Sequence, residues 1–196
     1  MREMINMVVV LTVLTAVSGF LLATVESSTK VMIEEQVLEK QKKPAIAQIF
    51  PEGSISNDPI KERFNIETDA LKLQIFPAKL ADGGKALAFE TKGKGGYGGD
   101  VGLMVGINLE NDQVIGVRVT THSETPGLGA RAKDDPEFVS QFTKLGMDTN
   151  FALKKESGVI DAMSGATITS RAVTMAALEA QKLYKALKPE IEKQIQ

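Results

Sequence analysis

One long uncharged stretch near the N-terminus limits what this 196-residue chain can be. Residues 5–25 carry no charged side chain over 21 consecutive positions. A helix that rises ~1.5 Å per residue over this length can cross a hydrocarbon core of about 30 Å. Its polar side chains, among them Thr12, Thr15 and Ser18, can hydrogen-bond to the backbone of their own helix. We therefore predict a membrane-spanning helix within residues 1–25.

This stretch could be a cleaved signal peptide or a retained anchor. The charged region before it is short, with Arg2 beside Glu3. The apolar run exceeds the roughly 7–15 residues of a signal-peptide core, and no A-x-A cleavage site follows it. We therefore favour an anchor. The positive-inside rule places the N-terminus in the cytoplasm and the main domain outside, although three lysines at positions 40, 42 and 43 weaken the charge asymmetry.

The segment after the anchor is rich in charge and then in turn-forming residues. Residues 27–43 carry a narrow apolar stripe on a charged helix, and Pro44 is predicted to end that helix. We interpret it as a stalk rather than as a docking helix for a partner. Residues 51–59 (PEGSISNDP) form a turn-rich linker. The predicted organisation is an anchor over 1–25, a stalk and linker over 26–60, and an extracytoplasmic domain over 61–196.

Strand patterns precede helix patterns in the predicted domain. The predicted strands are residues 86–92, 101–109 and 114–121, of which the last two form an antiparallel hairpin. The predicted helices are residues 135–145, capped by Asp135, and residues 170–187, with Ser170 as its candidate cap and Pro189 just past its end. This order predicts the α+β class: one N-terminal transmembrane helix followed by a mostly antiparallel sheet with packed helices.

The composition excludes several kinds of chemistry. Cysteine is absent, so the chain has no disulfide, thiolate zinc site, cysteine-ligated iron–sulfur cluster or catalytic thiol. With His122 as the only histidine, one copy cannot build a metal site from several imidazoles, and we predict no metal. A net charge of -2 and the absence of tryptophan argue against nucleic-acid binding. Redox chemistry would therefore require an organic cofactor.

The sequence DAMSGATITS at residues 161–170 leads directly into the predicted C-terminal helix. Small residues at 164–166 allow a ligand to approach the backbone closely, and free N–H groups at a helix start bind anions. An exposed hydroxyl on such a loop can also be esterified by a modifying enzyme. Local chemistry alone favours a simpler interpretation, in which these residues cap an amphipathic helix.

DAMSGAT resembles the flavinylation motif of the FMN-binding domain family. The resemblance implies that a dedicated transferase moves FMN from FAD onto Thr167 and leaves a phosphoester. Asp161, Ser164, Gly165 and Ala166 match the part that the transferase recognises. Ser164, Gly165 and Ala166, together with Thr169, would also contact the cofactor. Thr167 would then be a tether and not a catalytic residue.

A second segment, ETPGLGA at residues 124–130, resembles the loop that lines the flavin ring in this family. Glu124 and Thr125 would supply polar contacts and Leu128 an apolar one, in a loop shaped by Gly127 and Gly129. Local patterns alone indicate only a loop leaving a strand. We interpret His122 as structural rather than as a proton donor. The glycine-rich turn at 93–99, which contains Tyr97, lacks a following helix and is also interpreted as structural.

The order of these segments resembles the G-subunit family of Rnf electron transport complexes. This implies a redox subunit, not catalytic alone, that relays electrons through FMN between reduced ferredoxin and NAD while ions are translocated. Its implied partners are other membrane and iron–sulfur subunits, the flavin transferase and membrane lipid, with no nucleic acid. Two alternatives are the C subunit of a sodium-pumping NADH:quinone oxidoreductase and a non-redox, membrane-anchored assembly module.

Overall fold

A computed structural model describes residues 1–68 and 71–195 and divides the chain into two compact units, Met1–Lys40 and Gln41–Gln196. The helices are α1 (Arg2–Val37), α2 (Lys43–Ile49), α3 (Arg131–Asp134), α4 (Pro136–Ser140) and α5 (Thr167–Gln194), with a π-helical turn at Leu38–Lys42 and a 3-10 turn at Lys154–Glu156. The strands are β1 (Phe64–Thr68), β2 (Leu71–Lys79), β3 (Lys85–Gly93), β4 (Val101–Asn108) and β5 (Gln113–Val119). Positions 69, 70 and 196 of the predicted domain lie outside the described residues.

The apolar N-terminal helix expected from the sequence is present as α1. In the part of the chain that the structure describes, one helical segment, Arg2–Ile49, is long and apolar enough to cross a membrane, and its apolar stretch is not buried. Thr12 and Thr15 donate their hydroxyls to Val8 O and Leu11 O, at 2.8 and 2.9 Å. These bonds satisfy polar atoms that a lipid environment could not.

The sheet contains five antiparallel strands in the order β1-β2-β3-β4-β5. The predicted β4–β5 hairpin is confirmed, with Leu103 opposite Val119 and Asn108 opposite Gln113. The α+β class with a mostly antiparallel sheet is confirmed as well. The sequence did not predict β1 and β2, which complete the other side of the sheet.

Helix α5 packs on one face of the sheet and forms the main core with it. Thr91 Oγ1 donates to Ala176 O at 2.9 Å and ties β3 to the middle of α5. The prediction that Pro189 lies past the end of this helix is wrong, because α5 continues to Gln194. Pro189 is exposed, whereas Ile191, two residues further on, is fully buried. Packing of Ile191 thus outweighs the backbone hydrogen bond that proline removes.

Helix α2 packs on the opposite face of the sheet, against β4 and β5. The prediction that Pro44 ends a helix is wrong: Pro44 lies in the first turn of α2, where the lack of an N–H costs little. Ile46 and Ile49 are buried. Ile49 lies over Gly106, where a Cβ atom would overlap the Ile49 side chain. Arg118 Nε also donates to Gln48 Oε1 at 2.8 Å.

The short helix α4 begins as predicted but ends early. Asp135 caps it by accepting N–H groups of Phe138 and Glu137 at 3.3 and 3.1 Å, and these bonds lower the pKa of Asp135. The helix ends at Ser140 rather than near Leu145. Lys144 has a positive φ of 65° and donates its N–H to Val114 O at 2.7 Å. Pairing with β5 therefore replaces further helical turns.

Candidate cofactor-binding site

Three segments that are distant in the sequence enclose one cavity of about 590 Å³. They are the glycine-rich turn between β3 and β4, the loop after β5, and the start of α5. The residues that line it are Tyr97, Glu124, Thr125, Leu128, Gly129, Gly165, Ala166, Thr167, Ile168 and Thr169. The structure thus brings the two sequence motifs together with a turn that the sequence analysis had interpreted as structural.

The start of α5 presents free backbone donors to this cavity. The first helical hydrogen bond runs from Ser170 N to Ala166 O at 2.9 Å, so Thr167 is the first residue of the helix. Within residues 1–68 and 71–195 no acceptor bonds the N–H groups of Thr167, Ile168 or Thr169. These donors and the positive end of the helix dipole favour an anion.

The prediction that Ser170 caps α5 is wrong. The N-cap residue is Ala166, and no side chain in the described part of the chain caps the helix. Ser170 is fully buried one turn later, where its hydroxyl accepts from Met163 N at 3.0 Å and donates to Ala166 O at 2.9 Å. Ser170 therefore holds the preceding loop against the helix instead of beginning it.

The hydroxyls of the motif differ in availability. Thr169 is 2% exposed, and its hydroxyl donates to Glu124 Oε2. Ser164 and Thr167 are exposed, and neither side chain makes a hydrogen bond within the described part of the chain. Only Thr167 of these two lines the cavity. Thr167 is therefore the motif residue that lines the cavity and keeps a hydroxyl without a hydrogen-bond partner among the described residues.

Glu124 joins all three segments through its carboxylate. Its side chain is buried, with Oε1 accepting from Gly98 N at 2.9 Å and Oε2 accepting from the Thr169 hydroxyl. Gly129 permits this arrangement, since a Cβ atom there would overlap the Thr169 hydroxyl and the Glu124 carboxylate. Glu124 thus lines the cavity and also holds the three segments together.

The remaining residues of the ETPGLGA loop shape it or face the cavity. Thr125 O accepts the N–H groups of Leu128 and Ala130, each at 3.2 Å. Gly127 turns the loop with a φ of 75° and does not line the cavity, whereas Leu128 lines it with a half-exposed side chain. His122 also lies outside the lining, where its Nδ1 accepts from Glu124 N at 3.3 Å.

Asp161 begins the motif as an exposed residue and is not among the residues that line the cavity. Its carboxylate pairs with Lys154 Nζ at 2.5 Å, and both side chains are exposed. Its backbone N–H donates to Gln141 Oε1 at 2.7 Å. The sequence analysis missed two cavity residues, Tyr97 and Ile168. Both side chains are exposed in the folded chain, and no signal in the sequence identified them as cavity residues.

Sequence comparisons place the chain among subunits of ion-translocating oxidoreductase complexes. The G subunit of an ion-translocating oxidoreductase complex from Cronobacter sakazakii is 33% identical over 191 residues, covering 93% of this chain and 91% of that protein. The protein of the same name from Pseudomonas aeruginosa is 32% identical over 197 residues, covering 94% and 90%. The chain belongs to the G-subunit family of ion-translocating oxidoreductase complexes.

Residues 96–182 of this G-subunit family member match the FMN-binding domain family. The match spans every segment that lines the cavity and makes FMN the cofactor of the domain. The fold is shared with the crystal structure of the C subunit of Na(+)-translocating NADH-quinone reductase from Parabacteroides distasonis. That chain is 22% identical, with a TM-score of 0.51 over 68% of this chain and 78% of its own.

The cavity of this G-subunit family member suits FMN in size and chemistry. Its volume falls within the roughly 300–1,000 Å³ of small-molecule sites. The free N–H groups at the start of α5 can receive a phosphate, and the Thr167 hydroxyl lies at the same point. Tyr97, Leu128 and Ile168 offer apolar and aromatic surface to a flat ring. The residues present therefore fit the group.

Proposed function

We propose that this chain is the electron-carrying subunit of a membrane-bound, ion-translocating ferredoxin:NAD oxidoreductase complex, with FMN attached through its phosphate to Thr167. The observation that carries the proposal is the state of the hydroxyls at the start of α5. Thr169 and Ser170 are buried and bonded, whereas Thr167 is exposed, lines the cavity and has no side-chain hydrogen bond to any described residue. Family membership supports the assignment to the complex.

The attachment is a phosphoryl transfer in which one bond to phosphorus forms and another breaks. The Thr167 oxygen forms a bond to the phosphorus of the FMN half of FAD, and the pyrophosphate bond breaks. AMP leaves with the electron pair of that bond, and the hydroxyl proton passes to a base of the transferase. Asp161, Ser164, Gly165 and Ala166 would be read by that enzyme. Asp161, Ser164 and Gly165 are exposed, so a second protein can reach them.

The chain's own residues would hold the cofactor and keep it in place. The N–H groups of Thr167, Ile168 and Thr169 would bond the phosphate, and the ester would prevent loss of FMN from an open cavity. Thr125, Leu128, Gly129 and the small residues Gly165 and Ala166 would contact the rest of the molecule. When bound, FMN supplies the electron uptake and release that no side chain here can provide.

The remaining parts of the proposal concern the membrane and the partners. Helix α1 would anchor the chain, with the N-terminus in the cytoplasm and residues 61–196 outside. Membrane lipid, the transferase, and other membrane and iron–sulfur subunits would be its partners. Its role there is electron relay, so it would not be catalytic alone.

In-gel flavin fluorescence of the denatured chain, produced together with the transferase, tests the attachment. We expect the wild type and Thr167→Ser to fluoresce, because both keep a hydroxyl at the start of α5. Thr167→Ala should lose the signal entirely, while its thermal unfolding should match that of flavin-free wild type produced without the transferase. Ser123→Ala is the matched control, since it removes an exposed hydroxyl beside the cavity and should keep full fluorescence. A fluorescent Thr167→Ala band would contradict the proposal.

A further inference from the structure

The carboxylate of Glu124 is buried without a cation. Both oxygens accept from neutral donors, the Gly98 N–H and the Thr169 hydroxyl, and Glu124 makes no ion pair among the described residues. No lysine or arginine is among the described residues that line the cavity. The start of α5 contributes a partial positive charge, which the cofactor phosphate would also use.

Glu90 provides the contrast within the same compact unit. Its carboxylate also accepts from a threonine hydroxyl, that of Thr120. Unlike Glu124, it pairs with a cation, Lys42 Nζ, at 3.3 Å. Glu90 does not line the cofactor cavity. The carboxylates of Glu90 and Glu124 thus each accept from a threonine hydroxyl, but of these two only Glu90 pairs with a cation among the described residues.

A negative charge in the wall of a flavin cavity has a predictable effect. Each electron added to FMN makes the ring more negative, and a nearby carboxylate raises the free energy of that state. Partial exclusion of water strengthens the repulsion, because the effective dielectric constant falls. A neutral side chain of the same shape would remove it.

We propose that Glu124 sets the reduction potential of the bound FMN, holding it low through its uncompensated charge. The inference rests on the proposed function, since it requires FMN in this cavity. It assigns Glu124 two roles. Its hydrogen bonds join the three segments, and its fixed charge makes the reduced cofactor a stronger electron donor. Thr169 and Gly98 position the carboxylate by their hydrogen bonds and carry no charge themselves.

Spectroelectrochemical titration of the full, flavin-loaded chain in detergent tests this. Dithionite supplies the electrons and is oxidised to sulfite as FMN is reduced. The flavin absorbance gives the reduced fraction, and the solution potential at which half of the flavin is reduced is the midpoint potential. We expect Glu124→Gln to shift the midpoint potential to more positive values. Thr169→Val, which removes one hydrogen bond but keeps the charge, and Glu90→Gln, which removes a charge outside the cavity, should shift it less.

The other outcomes separate the inference from the function on which it rests. A flavin-loaded Glu124→Gln chain with an unchanged or more negative potential would overturn the inference alone. So would a Thr169→Val shift as large as that of Glu124→Gln, because hydrogen bonding rather than charge would then be responsible. Failure of Glu124→Gln to take up flavin would assign Glu124 a structural role only. A wild-type chain without any flavin would overturn both proposals.

Discussion

Asp112 is a single side chain that connects two elements far apart in the sequence. It lies in the loop between β4 and β5 with a positive φ of 54°. Its carboxylate accepts from the Tyr184 hydroxyl at 2.5 Å and from Lys188 Nζ at 2.6 Å. Burial raises the pKa of Tyr184, so that hydroxyl remains a donor. The hairpin is thereby fastened to the second half of α5.

Replacing Asp112 with asparagine should change how the free energy of unfolding depends on pH. Desolvation raises the pKa of Asp112, but the hydrogen bonds from Lys188 and Tyr184 outweigh it and hold the pKa below 3.8. Its stabilising contribution is therefore fully present above about pH 5 and is lost as pH falls through the lowered pKa. Asparagine tolerates the positive φ, so the backbone is preserved.

Urea unfolding of the wild type and Asp112→Asn at several pH values measures this. The wild type should be more stable near neutral pH, and the difference should shrink below pH 3.8. A difference that is constant over that range would contradict the assigned role.

The motif residues of the site could be read from the sequence, but their partners could not. The resemblance of DAMSGAT and ETPGLGA to family motifs made Thr167 and Glu124 candidates, whereas their local chemistry alone indicated only a helix cap and a loop. The bonds from Glu124 to Gly98 and to Thr169 span 26 and 45 residues. No local signal reports a contact over such a separation. The hydrogen bonds of Glu124 and the place of Tyr97 in the cavity lining were therefore seen only in the folded chain.

At the scale of elements, the packing of α2 on the sheet depends on one of two paired glycines. Gly106 and Gly116 face each other across β4 and β5. A Cβ atom at Gly106 would overlap the Ile49 side chain, whereas one at Gly116 would lie 3.9 Å from it, an ordinary contact. Gly116 therefore has room for a side-chain methyl group and Gly106 does not, although the two residues are neighbours.

Gly106→Ala should destabilise the chain by roughly 1–3 kcal/mol, because overpacking displaces α2. Gly116→Ala, its matched control, should be neutral or stabilising by up to about 1 kcal/mol, since alanine lowers the entropy of the unfolded chain. Urea unfolding of both variants checks this. Equal changes in the free energy of unfolding at the two positions would show that the packing of α2 does not require a glycine at position 106.

Elements with strong local signals were predicted, and those that depend on distant packing were not. The Asp135 cap and the β4–β5 hairpin follow from residues next to each other. The continuation of α5 past Pro189 depends on the burial of Ile191. Helix α2 packs on the sheet, and the sequence did not predict it because Pro44 was interpreted as the end of a helix.

At the scale of the whole molecule, the boundary of the folded domain is open to a direct test. The predicted boundary at residue 61 remains a prediction, and one compact unit of the structure begins at Gln41. The earlier boundary retains α2, which buries Ile46 and Ile49. Each large apolar side chain lost from such a contact costs about 1.5–3 kcal/mol.

A fragment that begins at residue 41 should therefore unfold cooperatively in urea. A fragment that begins at residue 61 should be less stable by several kcal/mol or fail to fold, since it lacks at least two buried side chains of α2. Equal stability of the two fragments would support the later boundary.

Mass spectrometry of the intact chain, isolated from membranes of cells that contain the transferase, tests the central claim most directly. The account predicts a mass increased by one FMN less one water, with the added group on the peptide that contains Thr167. An unmodified mass, or an FMN carried by a peptide without Thr167, would contradict it.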